Sequence, residues 1–363
     1  MTADAASEVR RRAAELSSDD RITGPLKGYH HEAYAITLPA ELGARFARGK
    51  LREPRPGLLW YDRRCFDSED HLLMELQGRI KRIPEYVEVG DVILQGFIEG
   101  RTLGSGPLRG RTLSPRHTGQ LGQLFRELVA IKTDELEMVE RRCKREDRPP
   151  DGDATGFLHR LIHFTEDQFC GDHVKQYGTL FDELGVYTAK LDGLKRRSET
   201  LTDRPFTLIH GDLHWHNFIV DSAGDLWTID WELAMIGDPL YELATHLHLM
   251  RYPEREEVRI AELWQAEVES VLPGSSLNWD RDLPVLLAYK RAQSVFTDVI
   301  RTALALGPGP EPNWRILPRA AWKLQRVLAA AQEPLALAGV PTLRQVMSAY
   351  TSWFRSSEAR SEP

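Results

Sequence analysis

The stretch from Leu208 to Glu232, LIHGDLHWHNFIVDSAGDLWTIDWE, constrains the fold more than any other part of the chain. Apolar residues before His210 predict a short buried strand, and Gly211 then interrupts any helical continuation. The apolar runs 218–220 and 226–229 flank a polar turn, which predicts a β-hairpin. The stretch is therefore expected to form a strand, a polar loop and a hairpin.

The histidines of this stretch suggest one possible chemistry. His210 and His214 have the four-residue spacing of helix-borne zinc ligands, and His216 would supply a third ligand. This spacing aligns the imidazoles only on a helix, which the glycine after His210 disfavours. We expect His210 to hold the loop by hydrogen bonds, and His214 either to contact a transferred phosphate or to support the loop in the same way.

Phosphoryl transfer accounts for more of the polar residues. A carboxylate orients a hydroxyl nucleophile, and magnesium on the nucleotide takes amide and carboxylate oxygens. The spacing of His210, Asp212 and Asn217 is that of a kinase catalytic loop, H-x-D-x-x-x-x-N, and the hairpin returns Asp230 beside Asn217. We predict Asp212 and His214 as catalytic residues, with Asp212 as the base, and Asn217 and Asp230 as metal ligands.

The motifs HGDLHWHN and IDWE, followed by GDPLYELATHL, resemble those of the aminoglycoside phosphotransferase and choline-kinase-like superfamily. The resemblance implies an α+β, protein-kinase-like fold with a small antiparallel-sheet lobe, which contains one helix, and a larger, mainly helical lobe. It also implies an enzyme that moves the γ-phosphoryl group of ATP or GTP to a hydroxyl, with Mg²⁺ as cofactor. Trp215 and His216 stand where the family often has Pro-Gly, so we expect them to change what faces the acceptor.

Patterns of apolar and turn residues divide the chain into the parts that such a fold requires. We expect a lead-in over 1–20, a nucleotide-binding lobe over 21–103 and a helical lobe with the acceptor site over 104–363. In the first lobe, strand patterns occur at about 26–36, 44–52, 57–61 and 91–98. Helical spacing of leucines follows a capping serine over 68–80, and the helical lobe begins with the helical patterns 117–132, 157–169 and 179–197.

The resemblance implies a nucleotide site in the first lobe. The turn from Pro25 to Ile36, with Gly28, is the candidate for covering the phosphates. Lys50 is predicted to contact them, with Arg52, on the same strand face, as the alternative.

Two further features of that site are predicted on the same basis. Glu69 is the expected ion-pair partner of the lysine, with Glu75 as the alternative. The hinge that reads the adenine through backbone groups is expected at Gln95, Phe97 and Ile98.

Charge and hydropathy bear on the partners. The net charge of −7, with acidic and basic residues interleaved, argues against nucleic-acid binding, which needs a concentrated basic surface. No apolar run suits a signal peptide or a membrane span, so we expect a cytoplasmic location without a membrane partner. The three cysteines are too few and too widely spaced to suggest a disulfide framework.

The acceptor is predicted less narrowly than the chemistry. The resemblance favours a hydroxylated small molecule such as an aminoglycoside or a related antibiotic or natural product. The run 252–282, with eight acidic and three basic residues, would suit a cationic acceptor or would simply be a solvated helix face. The alternatives are Ser or Thr of a precursor peptide in a lanthipeptide-type pathway, and a kinase-like binding module without turnover.

Overall fold

The computed structural model describes residues 7–19, 21–26, 28, 31–39, 46–55, 63–89, 92–105, 112–170, 174–186, 191–307 and 312–361. The described residues form a small lobe built on one sheet and a larger lobe built mainly of helices. The predicted strand at 57–61, and residues 27, 29 and 30 of the predicted phosphate-covering turn, lie outside the described residues.

The small lobe is built on an antiparallel sheet in which the strand order is β1-β2-β4-β3. Its strands are β1 (His31–Thr37), β2 (Arg48–Pro54), β3 (Tyr86–Val89) and β4 (Val92–Gly96). Helix α1 (Glu8–Leu16) lies within the predicted lead-in and packs on this sheet, because its buried residues Val9 and Ala13 join a separate small core. The other buried members of that core are Tyr34, Ile36, Leu38, Leu51 and Leu94.

Helix α2 (Glu69–Leu76) begins at the predicted cap, since the Ser68 hydroxyl accepts a hydrogen bond from the His71 amide at 3.2 Å. The helix ends four residues before the predicted end at residue 80, because the backbone turns at Gln77 and adopts a positive φ of 77° at Gly78. Its buried leucines belong to the core of the helical lobe, not to the small core. The helix therefore packs into the core of the helical lobe, although it lies between two strands of the small lobe's sheet in the chain.

The helical lobe contains two small antiparallel sheets. One has the order β5-β7-β8 and the other pairs β6 with β9. The strands are β5 (Gly100–Thr102), β6 (Thr207–Ile209), β7 (Phe218–Asp221), β8 (Leu226–Thr228) and β9 (Met235–Gly237). The chain crosses from the first sheet to the second between β4 and β5, a few residues before the predicted start of the helical lobe at 104.

The remaining helices pack around these sheets. They are α3 (Pro115–Val129), α4 (Ala154–Cys170), α5 (Val174–Glu183), α6 (Asp192–Ser198), α7 (Pro239–Met250), α8 (Glu254–Val271), α9 (Trp279–Leu306), α10 (Leu317–Ala330) and α11 (Leu343–Ser361). Helix α9 packs against both α7 and α10 and is buried along most of its length. It therefore forms the central element of the lobe.

A buried ion-pair group fixes α7 and α9 to the chain before β6. The guanidinium of Arg204 donates to both carboxylate oxygens of Asp238, at 2.9 and 2.7 Å, and to Asp282 at 2.8 Å. Asp238 also caps α7, because it accepts a hydrogen bond from the Leu240 amide at 2.9 Å. These contacts hold the start of the strand that leads into the catalytic loop.

Most of the predicted elements are present, with shifted ends. The hairpin over 218–229 is observed as β7 and β8. The strand β3 was not predicted, and the single helical pattern over 179–197 forms the end of α5 and, separately, α6. None of the described helices is both long and apolar enough to cross a membrane.

Candidate active site

A cleft of about 920 Å³ between the lobes collects every predicted site residue. Its walls come from β1, β2, α2 and β4 on one side, and from the loop after β6 and the end of β8 on the other. The predicted residues that line it are Gly28, Lys50, Glu69, Gln95, Phe97, Ile98, Asp212, His214, Asn217 and Asp230.

The loop after β6 depends on a glycine and on a buried acid. Gly211 has a φ of +75°, a backbone conformation that residues with a side chain rarely adopt. A Cβ there would also lie only 2.9 Å from the carbonyl oxygen of Leu233, so it would clash. The carboxylate of Glu242 on α7 accepts hydrogen bonds from the amides of His210 and Gly211, the latter at 3.0 Å. Burial raises the pKa of Glu242 to about 7.

His210 joins the loop after β6 to the chain that follows β8. Its Nδ1 accepts a hydrogen bond from the Asp212 amide at 3.3 Å, so Nε2 carries the proton and donates to the Ile229 carbonyl at 3.2 Å. Burial lowers the pKa of His210 to about 4, which keeps the imidazole neutral. The structure thus gives His210 the loop-holding contacts predicted from the sequence.

Asp212 is oriented by two neighbouring side chains. The Asn217 amide donates to the Asp212 carboxylate at 2.9 Å and to its backbone carbonyl at 3.0 Å. His214 Nε2 lies 3.4 Å from the same carboxylate, and His214 Nδ1 accepts from the His216 amide at 3.0 Å. Burial would raise the pKa of Asp212, but the hydrogen bond from His214 and the charges of His214, His210 and Lys290 together outweigh it, so the pKa lies below its ordinary value. Asp212 is therefore ionised at neutral pH and can accept a hydrogen bond from a hydroxyl.

Three carboxylates meet where the chain after β8 lies against the start of α2. Oxygen atoms of Glu69, Asp230 and Glu232 all lie within 4.8 Å of one another. The pKa of Asp230 is raised well above its ordinary value by burial, and then by the charges of Glu232 and Glu69. Carboxylate oxygens this close, near the Asn217 amide, fit a hard divalent cation such as Mg²⁺. Glu232 was not among the predicted site residues, although it follows Asp230 by two positions.

The structure corrects the predicted partner of Glu69. Its carboxylate forms an ion pair with Arg52, the alternative, and not with Lys50, and Arg52 also pairs with Asp70. The second oxygen of Glu69 accepts a hydrogen bond from the Trp231 amide at 2.9 Å. Arg52 reaches Glu69 because it lies two residues further along β2, nearer the start of α2. Glu69 consequently links the sheet to the loop that carries Asp230.

Lys50 lines the cleft without taking part in that ion pair. Burial lowers its pKa, as does the charge of Arg52, whereas Glu69 and Asp230 raise it. The ammonium therefore lies close enough to both carboxylates to respond to their charge. Arg52 is committed to two carboxylates, so Lys50 is the better placed of the two cations to contact a nucleotide phosphate.

Some backbone amides of the segment between the lobes already form hydrogen bonds within the protein. The Phe97 amide donates to the Arg48 carbonyl at 2.9 Å, and the Gly96 amide donates to the Glu85 carbonyl at 2.7 Å. Within the described chain, the amide of Ile98 has no such backbone partner. Of the predicted hinge residues, Ile98 thus offers the N–H that a purine base would need, while the buried side chain of Gln95 lies at the back of the cleft.

Trp215 and His216 have different surroundings from each other. Trp215 is buried, and its indole N–H donates to the Met250 carbonyl at 2.7 Å. His216 lines the interlobe cleft beside Gly104. Neither side chain lines the smaller cavity beside Asp212, because the loop turns Trp215 into the core and His216 toward the interlobe cleft.

A second, smaller cavity of about 230 Å³ lies on the other side of Asp212, against α7 and α9. Asp212 and Arg301 line both this cavity and the interlobe cleft. Of the described residues in the acidic run 252–282, none lines the small cavity. Asp212 therefore stands at the junction between a large cleft and a compact cavity.

Solved structures with a similar fold support this arrangement of lobes. Choline kinase LicA from Streptococcus pneumoniae is 14% identical over 89% of this chain and 98% of that chain, with a TM-score of 0.51. Macrolide 2′-phosphotransferase MphH from Brachybacterium faecium is 14% identical over 92% of this chain and 98% of that chain, also with a TM-score of 0.51. These likenesses show a shared fold and confirm the predicted two-lobed, kinase-like α+β architecture.

Sequence comparison gives the family directly. No curated protein matches the chain. The sequence model described as "Phosphotransferase enzyme family" matches residues 22–273, which is more than half of the 363 residues. The predicted enzyme class, a phosphotransferase that acts on a hydroxyl group, is thereby confirmed, and the chain belongs to the phosphotransferase enzyme family.

Proposed function

We propose that the protein transfers the γ-phosphoryl group of ATP or GTP to a hydroxyl of a small-molecule acceptor, with Mg²⁺ bound in the interlobe cleft. The position of Asp212 carries this proposal, because its carboxylate lines both the cleft and the smaller cavity. A hydroxyl in the smaller cavity would reach Asp212 on one side, and a nucleotide in the cleft would present its terminal phosphate on the other.

Each residue of the cleft has a chemical role in this proposal. Asp212 orients the acceptor hydroxyl and takes its proton, and His214 holds the carboxylate in place. Asn217 and Asp230 would bind Mg²⁺, which neutralises the phosphate charge when it is present. Lys50 would contact the phosphates of the nucleotide. Catalysis would rest on positioning and charge neutralisation, with no covalent enzyme intermediate.

The nucleotide would bind in the same cleft between the lobes. The Ile98 amide and neighbouring hinge carbonyls would hydrogen-bond the base, and Gly28, which lines the cleft, would contribute to covering the phosphates. A guanine or adenine would be distinguished by how these backbone groups match its edge. Both ATP and GTP belong in the test for that reason.

Turnover is favoured over a role as a binding module. A module without activity needs no ionised base beside a cluster of carboxylates, yet Asp212, Asn217, Asp230 and Lys50 all line the cleft together. The aminoglycoside-like acceptor and the precursor-peptide acceptor predicted from the resemblance both remain predictions. The charge of the smaller cavity bears on which of these acceptors would fit.

The test is a direct search for phosphoryl transfer. The protein is incubated with Mg²⁺ and ATP or GTP and with hydroxylated small molecules or Ser- and Thr-containing peptides, and products are examined for the mass of one added phosphoryl group. The proposal predicts such a product from wild type and none from Asp212→Ala. It fails if neither nucleotide binds, or if Asp212→Ala turns over as fast as wild type.

A further inference from the structure

We infer that the acceptor carries an anionic group, a carboxylate or a phosphate, next to the hydroxyl that is phosphorylated. The inference rests on the proposed function and names the class of its acceptor. It departs from the cationic acceptors that the family resemblance suggested. The observation that carries it is the set of cations that line the small cavity beside Asp212, which are Arg251, Lys290, Arg301 and Lys323.

The most buried of these cations is Lys290, which is 6% exposed. It lies on α9, and its ammonium donates to the Gln293 side-chain oxygen at 2.7 Å and to the Tyr241 hydroxyl at 3.2 Å. The ammonium also lies 5.3 Å from the centre of the Tyr241 ring. These contacts fix a positive charge at the wall of the cavity. A fixed, largely dehydrated cation is what a ligand carboxylate or phosphate binds most strongly.

A second cation enters the cavity from α7. Arg251 ends that helix in the left-handed conformation, with a φ of 52°, and its amide donates to the Leu247 carbonyl at 3.1 Å. This backbone turn sends the exposed guanidinium away from the helix axis and toward the cavity that it lines. Lys290 and Arg251 thus approach one cavity from two different helices.

The pKa of His248 responds to the charges of these cations. Its imidazole lines the same cavity, and its pKa is lowered to about 3 by burial and then by the charges of Lys290, Arg251 and Arg291. A histidine whose charged form is opposed by three cations stays neutral and offers a hydrogen bond without adding charge. Burial is the larger cause of the lowered pKa, and the three cations add to it by making a charged imidazole less favourable still.

The acids that line the cavity do not cancel this charge. Of the described lining residues, only Asp212 and Asp298 are carboxylates. Asp298 is bound by Lys323 at 2.6 Å, and Asp212 is the proposed base. The described lining of the cavity therefore has four cationic side chains and two carboxylates. A polycationic aminoglycoside would face like charges in this cavity, whereas an acid would find complementary ones.

The size of the cavity restricts the acceptor further. A volume of about 230 Å³ is below the range of about 300–1,000 Å³ that usually encloses drug-sized ligands. A space of this volume suits a compact hydroxy acid or hydroxy phosphate. Arg301 lines the cavity at its boundary with the interlobe cleft, so it can contact the acceptor's anionic group or the transferred phosphoryl group.

Matched small alcohols test the inference. Glycerate, glycerol 3-phosphate, glycerol and choline each carry a hydroxyl and differ in charge, and the two anions separate a carboxylate from a phosphate preference. Binding is measured by calorimetry at constant ionic strength, with the protein saturated with Mg²⁺ and a non-hydrolysable ATP analogue so that the cleft is filled. The account expects at least one anion to bind at least about tenfold more tightly than glycerol and choline.

Three variants assign that affinity to the cavity. Arg251→Gln and Lys290→Gln are each expected to weaken anion binding at least about tenfold. Because Arg251 is exposed, its variant still tests the inference if the variant of the buried Lys290 does not fold. Arg255→Gln, an exposed arginine four residues away that does not line the cavity, is the control and is expected to bind like wild type.

The outcomes separate the two proposals. If choline binds more tightly than both anions, if the panel shows no preference for an anion, or if both variants keep wild-type anion affinity, the acidic acceptor is wrong. If the ATP analogue itself does not bind while the anions do, the proposed phosphotransfer fails and the anion site stands.

Discussion

Glu242 accepts a hydrogen bond from the backbone amide of Gly211 at 3.0 Å, so a buried acid on α7 holds the turn that presents Asp212. The same carboxylate accepts a hydrogen bond from the backbone amide of His210. Two adjacent amides that would otherwise be buried without partners are satisfied by one side chain. The position of the catalytic loop is thus tied to a helix that also lines the acceptor cavity.

This contact predicts a pH-dependent stability. Burial raises the pKa of Glu242 to about 7 in the folded protein from an ordinary value of 4.5, so the folded state holds more protons than the unfolded chain between these values. The free energy of unfolding should therefore fall as the pH rises from about 4.5 to about 7, by up to about 3 kcal/mol from this group. Glu242→Gln should remove that part of the slope, because an amide accepts the same hydrogen bonds and does not ionise.

Urea unfolding at several pH values measures the slope. The exposed Glu262→Gln makes the same chemical change on α8 and should keep the wild-type slope. An unchanged slope in Glu242→Gln would show that Glu242 does not titrate in this window.

The two cations of β2 should have separable roles. Lys50→Met should weaken binding of the Mg²⁺ complex of ATP at least about tenfold, since it removes the proposed phosphate contact. Arg52→Met should instead lower the free energy of unfolding by about 3–5 kcal/mol, because it leaves Glu69 without its partner in a buried site. Calorimetry and urea unfolding of both variants distinguish these effects. Loss of nucleotide binding in Arg52→Met at unchanged stability would reverse the assignment.

The magnesium ligands can be tested by titrating the metal. Asn217→Ala and Asp230→Asn should each raise the Mg²⁺ concentration needed for half-maximal activity at least about tenfold, because the first removes an amide-oxygen ligand and the second removes the negative charge of a carboxylate ligand. Asp203→Asn, at an exposed position outside the cleft, is the matched control and should titrate like wild type. Equal magnesium requirements in all four proteins would mean that the metal binds elsewhere.

The buried ion-pair group before β6 should contribute mainly to stability. Arg204→Met leaves the buried Asp238 without its cation and removes one of the two arginines that pair with Asp282, so it should lower the free energy of unfolding by about 3–5 kcal/mol. Arg160→Met breaks an exposed pair with Asp147 at 3.4 Å and should change it by less than about 1 kcal/mol. Urea unfolding gives both values, and similar losses in the two variants would contradict this difference.

The catalytic loop could be predicted from the sequence because its constraints are local. Asp212 and Asn217 are close in the chain, and a hairpin with a clear turn pattern returns Asp230 to them. The glycine at 211 and the buried strand before it also leave signals in adjacent residues. The loop-holding contacts of His210 follow from the same short segment.

The ion pair of Glu69 could not be predicted in this way. Lys50 and Arg52 are on the same face of β2, and the sequence does not say which of them meets α2. The choice depends on how α2 is seated, and its leucines pack into the core of the helical lobe. That placement follows from tertiary packing, which no local pattern encodes.

The cations that line the smaller cavity could not be predicted from the sequence for a similar reason. Arg251, Lys290 and Lys323 belong to three different helices, and the spacing between them in the chain carries no motif. The acidic run that drew attention to a cationic acceptor lies away from the cavity. Only the packing of α7 and α10 against α9 brings the positive charges together.

Turnover by Asp212→Asn tests the central claim most directly. With an acceptor that wild type phosphorylates, kcat should fall by about 10²–10⁴-fold, while the affinity for the Mg²⁺ complex of a non-hydrolysable ATP analogue stays within about twofold of wild type. The same change at the exposed Asp280 should leave kcat unaltered. Wild-type kcat in Asp212→Asn would contradict the assignment of Asp212 as the base at the junction of the two cavities.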